Sequence, residues 1–165
     1  LAPQLRGDAA VGRHQLEEVV FASSRPVLAL PAGWAAKSLS ARVLIAWDGG
    51  REAARAVFDA LPILTGSDAV KIVSIKGFLS DPLRQFTPGD DIAATLSRHG
   101  IAVETVTLEK SRASVKLELE AQATDFGATL VVMGCYGHSR FRERVLGGVS
   151  REMLKEIPFP LLLAN

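Results

Sequence analysis

The chain has 165 residues, 48% of them apolar and 22% charged, with a formal net charge of +1. That length holds one domain with a workable core, and the near-neutral balance excludes an electrostatic nucleic-acid binder, which needs a basic excess or stripe. One cysteine excludes an internal disulfide and a thiolate zinc cluster, and no apolar run approaches the roughly 20 residues of a membrane span. No leader-like segment opens the chain, so a reducing cytoplasm is the expected setting. The first residue is Leu1 rather than Met, so the chain is expected to be a piece of a longer polypeptide.

Residues 1–13 are polar and carry no clear pattern. His14–Ser23 reads as a short helix with Leu16, Val19, Val20 and Phe21 on one side. Pro26–Pro31 encloses a short apolar strand, and Ala32–Ala41 reads as a linker. From Arg42 the pattern becomes regular. Arg42–Trp47 is a buried strand, and Arg51–Leu61 an alanine-rich helix with Ala53, Ala56, Val57 and Ala60 facing inward. Val70–Ile75 is the next strand, followed by the longest loop of the domain, Lys76–Gly89.

Asp90–Arg98 is a helix with acids at its start and Gly100 beyond its end, as dipole and capping preferences ask. Ile101–Leu108 alternates in the manner of a strand near an edge, and Ser114–Phe126 is a helix stopped by Gly127. Ala128–Met133 is a buried strand. A second helical stride follows, through Val145, Val149, Met153 and Ile157, and Pro160–Ala164 is the last strand. Strands alternating with helices imply an α/β fold: a five-stranded parallel, doubly wound sheet in the flavodoxin-like order 3-2-1-4-5, with an extra N-terminal helix and strand. In that order the first and fourth domain strands are neighbours at the point where the winding reverses. Ligands of open α/β sheets bind there, outside the carboxyl ends of the strands.

Asp48 closes the first domain strand and Gly134 the fourth, so both fall at that crevice. Asp48 has a structural reading as the N-cap of the helix beginning at Arg51. Gly134, Gly137 and Gly147 follow the spacing G-x2-G-x9-G at a strand–helix junction, where close backbone approach and free N–H groups suit an anion. His138, Arg140, Arg142 and Arg144 crowd the same loop; a solvated basic turn is the simpler account of them. Cys135 reads as a small residue filling a tight turn. There is no G-x4-G-K-[ST], no G-x-G-x-x-G after the first domain strand and no G-x-S-x-G, and His14, His99 and His138 lack metal-ligand spacing. No catalytic machinery is visible, and a non-enzymatic protein is expected.

The glycine spacing, together with the opening Arg42–Gly50 (R-V-L-I-A-W-D-G-G) and the closing Pro160–Ala164, resembles the universal stress protein family over residues 42–164. The resemblance implies a fold related to adenine-nucleotide α-hydrolases, binding of an adenine nucleotide, ATP with Mg²⁺, and a dimer formed through the final strands. It places Asp48 and Ile75 by the base, Gly134 and Gly137 in the loop, and Gly147, Gly148, Val149 and Ser150 by the phosphates. Ile75 is equally readable as an ordinary core residue.

Two positions depart from the family pattern. Gly148 stands where a Ser or Thr hydroxyl is usual, and Ala113 where a glycine is common. One lost hydroxyl donor costs on the order of 1 kcal/mol. The alternatives are therefore the same fold with a weakened or empty site acting as a protein–protein scaffold, and a slow nucleotide hydrolase or adenylate-transfer enzyme.

A shift of 134 residues lays Val19-Val20 on Met153-Leu154 and Pro26–Leu30 on Pro160–Ala164. Chance similarity of short apolar segments is one account. The other, suggested by the tandem arrangement common in the family, is that residues 1–41 are the tail of a preceding copy plus a linker, ahead of a domain at 42–165. A strand so retained would cover an edge that otherwise invites aggregation.

Overall fold

A computed structural model describes residues 16, 18–35, 38–76, 89–109, 113–135 and 148–165. Six strands, β1 (Val27–Ala29), β2 (Arg42–Ala46), β3 (Ala69–Ile75), β4 (Val103–Leu108), β5 (Leu130–Gly134) and β6 (Leu161–Ala164), form one sheet in the order β1-β6-β5-β2-β3-β4. The five strands from β2 onward are parallel and follow the expected 3-2-1-4-5 order. The expectation of a five-stranded, wholly parallel sheet is corrected at one edge: β1 joins as a sixth strand, antiparallel to β6. A three-residue apolar strand cannot stand alone, and β6 would otherwise present an unpaired backbone edge.

Among the described residues the helices are α1 (Arg51–Leu64), α2 (Asp90–Arg98), α3 (Val115–Phe126) and α4 (Val149–Lys155), with residues 18–22 also helical. The strands carry apolar residues on both faces, and side-chain alternation sorts them into two cores. Val43, Ile45, Ile72, Val132, Leu162 and Ala164 meet Ala53, Ala56, Val57 and Ala60 of α1 and Ile92 and Leu96 of α2. On the other face Leu44, Val73, Val131, Leu161 and Leu163 meet α3, Met153 and Leu154 of α4, and Val20 of the 18–22 helix. Val43, Leu44 and Ile45 are fully buried, because β2 lies at the centre with a helix layer on each side. Each such side chain contributes about 1.5–3 kcal/mol relative to exposure.

Helix ends show how local chemistry and packing divide the work. Ser114 caps α3 by accepting from the Leu117 N–H, and Gly127 closes it at φ 66° with Ala128 N–H returning to Ala123 O. By contrast, α1 runs three residues beyond the expected Leu61, through Pro62. Proline forfeits one backbone bond there, but buried Leu64 anchors the last turn, and Thr65, Gly66 and Ser67 donate back to its carbonyls. The expected helix through Ile157 is also corrected. The helix ends at Lys155 and Glu156 is extended, since Pro158 disfavours helical geometry just before it. Val145 lies outside the described residues.

Candidate functional site

β2 and β5 are paired in parallel with Ala46 beside Met133, so the segments leaving their carboxyl ends start side by side. From β2 come Trp47 and Asp48; from β5 come Gly134 and Cys135. β3 ends one strand over at Ile75, and Trp47 N–H donates to Val73 O across that pair. This is the switch point, because the chain winds from β2 toward β4 on one side and toward β6 on the other.

Asp48 is half-buried, and its Oδ1 accepts from the Gly50 N–H at 2.7 Å. The helix N-cap is therefore not Asp48 but Gly50, whose carbonyl takes the Ala54 N–H. Gly49, at φ 76°, makes the turn that places the carboxylate one step ahead of the cap. Asp48 thus braces the entry to α1 at the carboxyl end of β2.

At Gly134 the structure supplies a reason for glycine that the spacing does not. A Cβ there would stand 2.5 Å from Glu52 C and 2.9 Å from Ala53 Cα, and would also overlap Ala53 N. The first turn of α1 occupies the place of a side chain, so Gly134 lets helix and strand backbones touch. Ile75 is buried in the α3/α4 core. Cys135 is also buried, and its N–H donates to Ala164 O at 2.8 Å; it is a core residue that ties the end of β5 to β6.

Gly148 is the N-cap of α4, with φ −60° and ψ 148° and no side-chain cap. Its carbonyl accepts from the Glu152 N–H at 3.1 Å. Those angles are open to any L-residue, so the glycine answers no backbone demand. A serine or threonine hydroxyl here would sit at a helix cap, where it serves either the first-turn N–H groups or a ligand. Val149 is half-buried and Ser150 buried in the first turn. Gly137, Gly147, His138, Arg140, Arg142 and Arg144 lie outside the described residues.

One residue of the crevice escaped sequence reasoning. Glu52 is buried in the first turn of α1, with Arg51 Nη2 2.8 Å from its Oε1. A carboxylate at a helix start is favoured by the dipole, and the D-G-G-R-E run carries that signal; its burial depends on β5 packing against the turn. Among the described residues no group of three or more His, Cys, Asp or Glu could hold a metal.

The universal stress protein family model matches residues 40–165, the whole of the parallel sheet and its helices. The chain belongs to the universal stress protein family. No curated protein sequence matches it significantly. Among solved structures it is similar to a universal stress protein from Archaeoglobus fulgidus, with TM-score 0.70 and 22% identity. That match covers 97% of this chain and 58% of the other, so the chain spans well under two thirds of that relative. A universal stress protein family member from Burkholderia pseudomallei gives TM-score 0.56 at 23% identity, covering 78% of this chain and 98% of its own. A universal stress protein solved in complex with cAMP gives 0.55 at 20% identity, covering 78% and 99%. These likenesses establish the fold. No helix among the described residues of this universal stress protein is long and apolar enough to cross a membrane.

Proposed function

We propose that this universal stress protein domain is a non-enzymatic module that binds an adenine nucleotide, ATP with Mg²⁺, in the crevice between β2 and β5. The observation that carries the reading is the β2–β5 pairing, which sets Asp48 beside the glycine-bearing end of β5 at the switch point. Asp48 and the strand end at Ile75 would face the base, and the first-turn N–H groups of Val149 and Ser150, next to Gly148, the phosphates. An anion is favoured at the start of a helix by the direction of its dipole. Mg²⁺ would arrive with the triphosphate as its counter-ion. The cAMP complex of a structural relative supports a nucleotide ligand, and stress response in the cytoplasm is the setting that family membership suggests.

The test is calorimetric titration of ATP with Mg²⁺ into the chain and into a Gly148→Ser variant. Binding by the parent chain is the expected result, with roughly tenfold tighter binding by the variant if one hydroxyl adds about 1–1.5 kcal/mol. Absence of binding by both proteins would refute the nucleotide reading. Turnover above buffer, abolished by Asp48→Ala, would overturn the non-enzymatic assignment.

A second reading is favoured by Gly148 and by the sheet edge. If only Gly148→Ser binds, the site is a weakened one and the fold acts as a protein–protein scaffold. In that role the final strand matters: β6 is paired on both sides, with β5 and with β1. The intramolecular pairing takes the edge that two copies would use to dimerise, which supports a pseudo-dimer over a homodimer through β6.

A further inference from the structure

Among the described residues one buried side chain has no hydrogen-bond partner. Ser74 lies near the carboxyl end of β3, is 1% exposed, and its Oγ is unpaired there. Buried hydroxyls are almost always hydrogen-bonded, and an orphan lowers stability. Its surroundings show what it faces. Ser74 shares a face of β3 with Ile72, two residues earlier in the strand. The place that a side chain of Gly89 would take is walled by Ile72 Cγ2 at 3.2 Å, Ser74 Oγ at 3.7 Å and Trp47 Cδ1 at 3.9 Å. Gly89 itself, at φ 102°, is the N-cap of α2 and brings no capping side chain. Under the first turn of α2 there is thus a narrow slot with two apolar walls and one hydroxyl.

The charges around the slot decide what it takes. Asp90 and Asp91 follow Gly89 in the first turn, and both are exposed. Asp91 Oδ1 already accepts the Ile92 N–H at 2.8 Å, and the Ala93 N–H goes to Gly89 O. Two carboxylates repel a phosphate here despite the helix dipole, and they leave the slot to an uncharged group. The hydroxyl accepts one hydrogen bond and donates another. Its match is a flat ring carrying an amine donor beside a ring-nitrogen acceptor, with an apolar body to lie against Ile72 and Trp47. The amine edge of adenine has that chemistry.

We propose that Ser74 reads the base in the crevice: the slot under α2 takes the exocyclic amine of adenine, and Ser74 Oγ accepts from it. This inference rests on the nucleotide reading and deepens it, because it fixes which end of the ligand lies on the β3 side. Ser74 adjoins Ile75 and Trp47 adjoins Asp48, so the slot lies at the same strand ends. Opposite Ser74 in the ladder stands Thr107, which is exposed, so solvent is one strand away. Ser74 is closed off in the free protein, and entry of the amine requires the first turn of α2 to yield by about the width of one atom. Gly89 has no side chain to carry aside in that movement. A hydroxyl kept unsatisfied until the ligand arrives trades stability for binding.

ATP and purine riboside triphosphate, which lacks the amine, are titrated with Mg²⁺ into the parent and into Ser74→Ala, and both proteins are melted. Ser74→Ala should bind ATP about fivefold more weakly, the loss of one net hydrogen bond, while melting no lower than the parent. The analogue should bind the two proteins alike, since neither pair has the contact to lose. A residue with a purely structural role would move stability and affinity in the same direction. Equal binding of ATP by both proteins overturns this inference and leaves the nucleotide reading standing; combined with a lower melting temperature of Ser74→Ala, it assigns the hydroxyl to a buried water. A parent that binds no ATP overturns both. A loss of affinity for the analogue as large as that for ATP also overturns the inference, because the substitution then acts through the fold.

Discussion

Replacing Gly134 by alanine adds one methyl group where the backbone of α1 stands. The new Cβ would lie 2.5 Å from Glu52 C, against 3.4 Å or more for ordinary contacts, so helix and strand must part by about 1 Å. Overpacking a core costs about 1–3 kcal/mol and occasionally more. The upper end applies here, because the obstacles are backbone atoms that no rotamer change can move. They belong to a helix whose Ala53, Ala56, Val57 and Ala60 are all buried against the sheet. A loss of about 3 kcal/mol corresponds to about 6–12 °C in a domain of this size, readable by far-ultraviolet circular dichroism and urea titration. Gly66→Ala is the control: its Cβ would meet only Ile63 O at 3.8 Å, and the variant should stay within about 0.5 kcal/mol of the parent. A Gly134→Ala protein as stable as that control would refute the contact of α1 with β5. Because Asp48, Gly49 and Gly50 lead directly into the displaced turn, the same variant should weaken nucleotide binding.

Ser74 is buried, and among the described residues its Oγ has no hydrogen-bond partner. Ser74→Ala should raise stability by about 1 kcal/mol, since an unsatisfied buried hydroxyl is itself a cost; a clear loss in urea titration would show that the hydroxyl is bonded. Asp48→Ala removes the acceptor of the Gly50 N–H and should cost about 1 kcal/mol. Asp48→Asn can keep that acceptor, so if only the structural bond mattered for nucleotide affinity, the Asn variant would bind like the parent.

Lys116 joins α3 to α4, 3.2 Å from Glu156 Oε2 and 3.4 Å from Glu120 Oε1. Its pKa is raised above the ordinary 10.5, first by the hydrogen bond to Glu156 and then by the two negative charges, against a desolvation that lowers it. A raised lysine pKa contributes stability in full below the unfolded value and loses it as pH climbs through the folded one. The melting-temperature gap between parent and Lys116→Met should therefore be constant at lower alkaline pH and close above about 10.5. A gap that does not change as pH climbs through the alkaline range would refute the ion-pair account.

The periodicity of the sequence by itself determined the alternation of strands and helices, the parallel order from β2 to β4 through β5 and β6, and the edge position of β4. Apolar runs with no alternation can be satisfied only by a sheet covered on both faces, and Gly127, Gly100 and Ser114 mark helix ends by local chemistry. Asp48 and Gly134 were legible as neighbours because topology alone brings the carboxyl ends of adjacent parallel strands together. Their roles were not. That Gly50 caps α1, that Gly134 makes room for a helix backbone, and that Glu52 is buried are decided by how α1 seats on β5. No local pattern encodes that distance. The short strand at 27–29 was visible, but its antiparallel pairing with β6 was decided by an unpaired edge that exists only once the sheet is assembled.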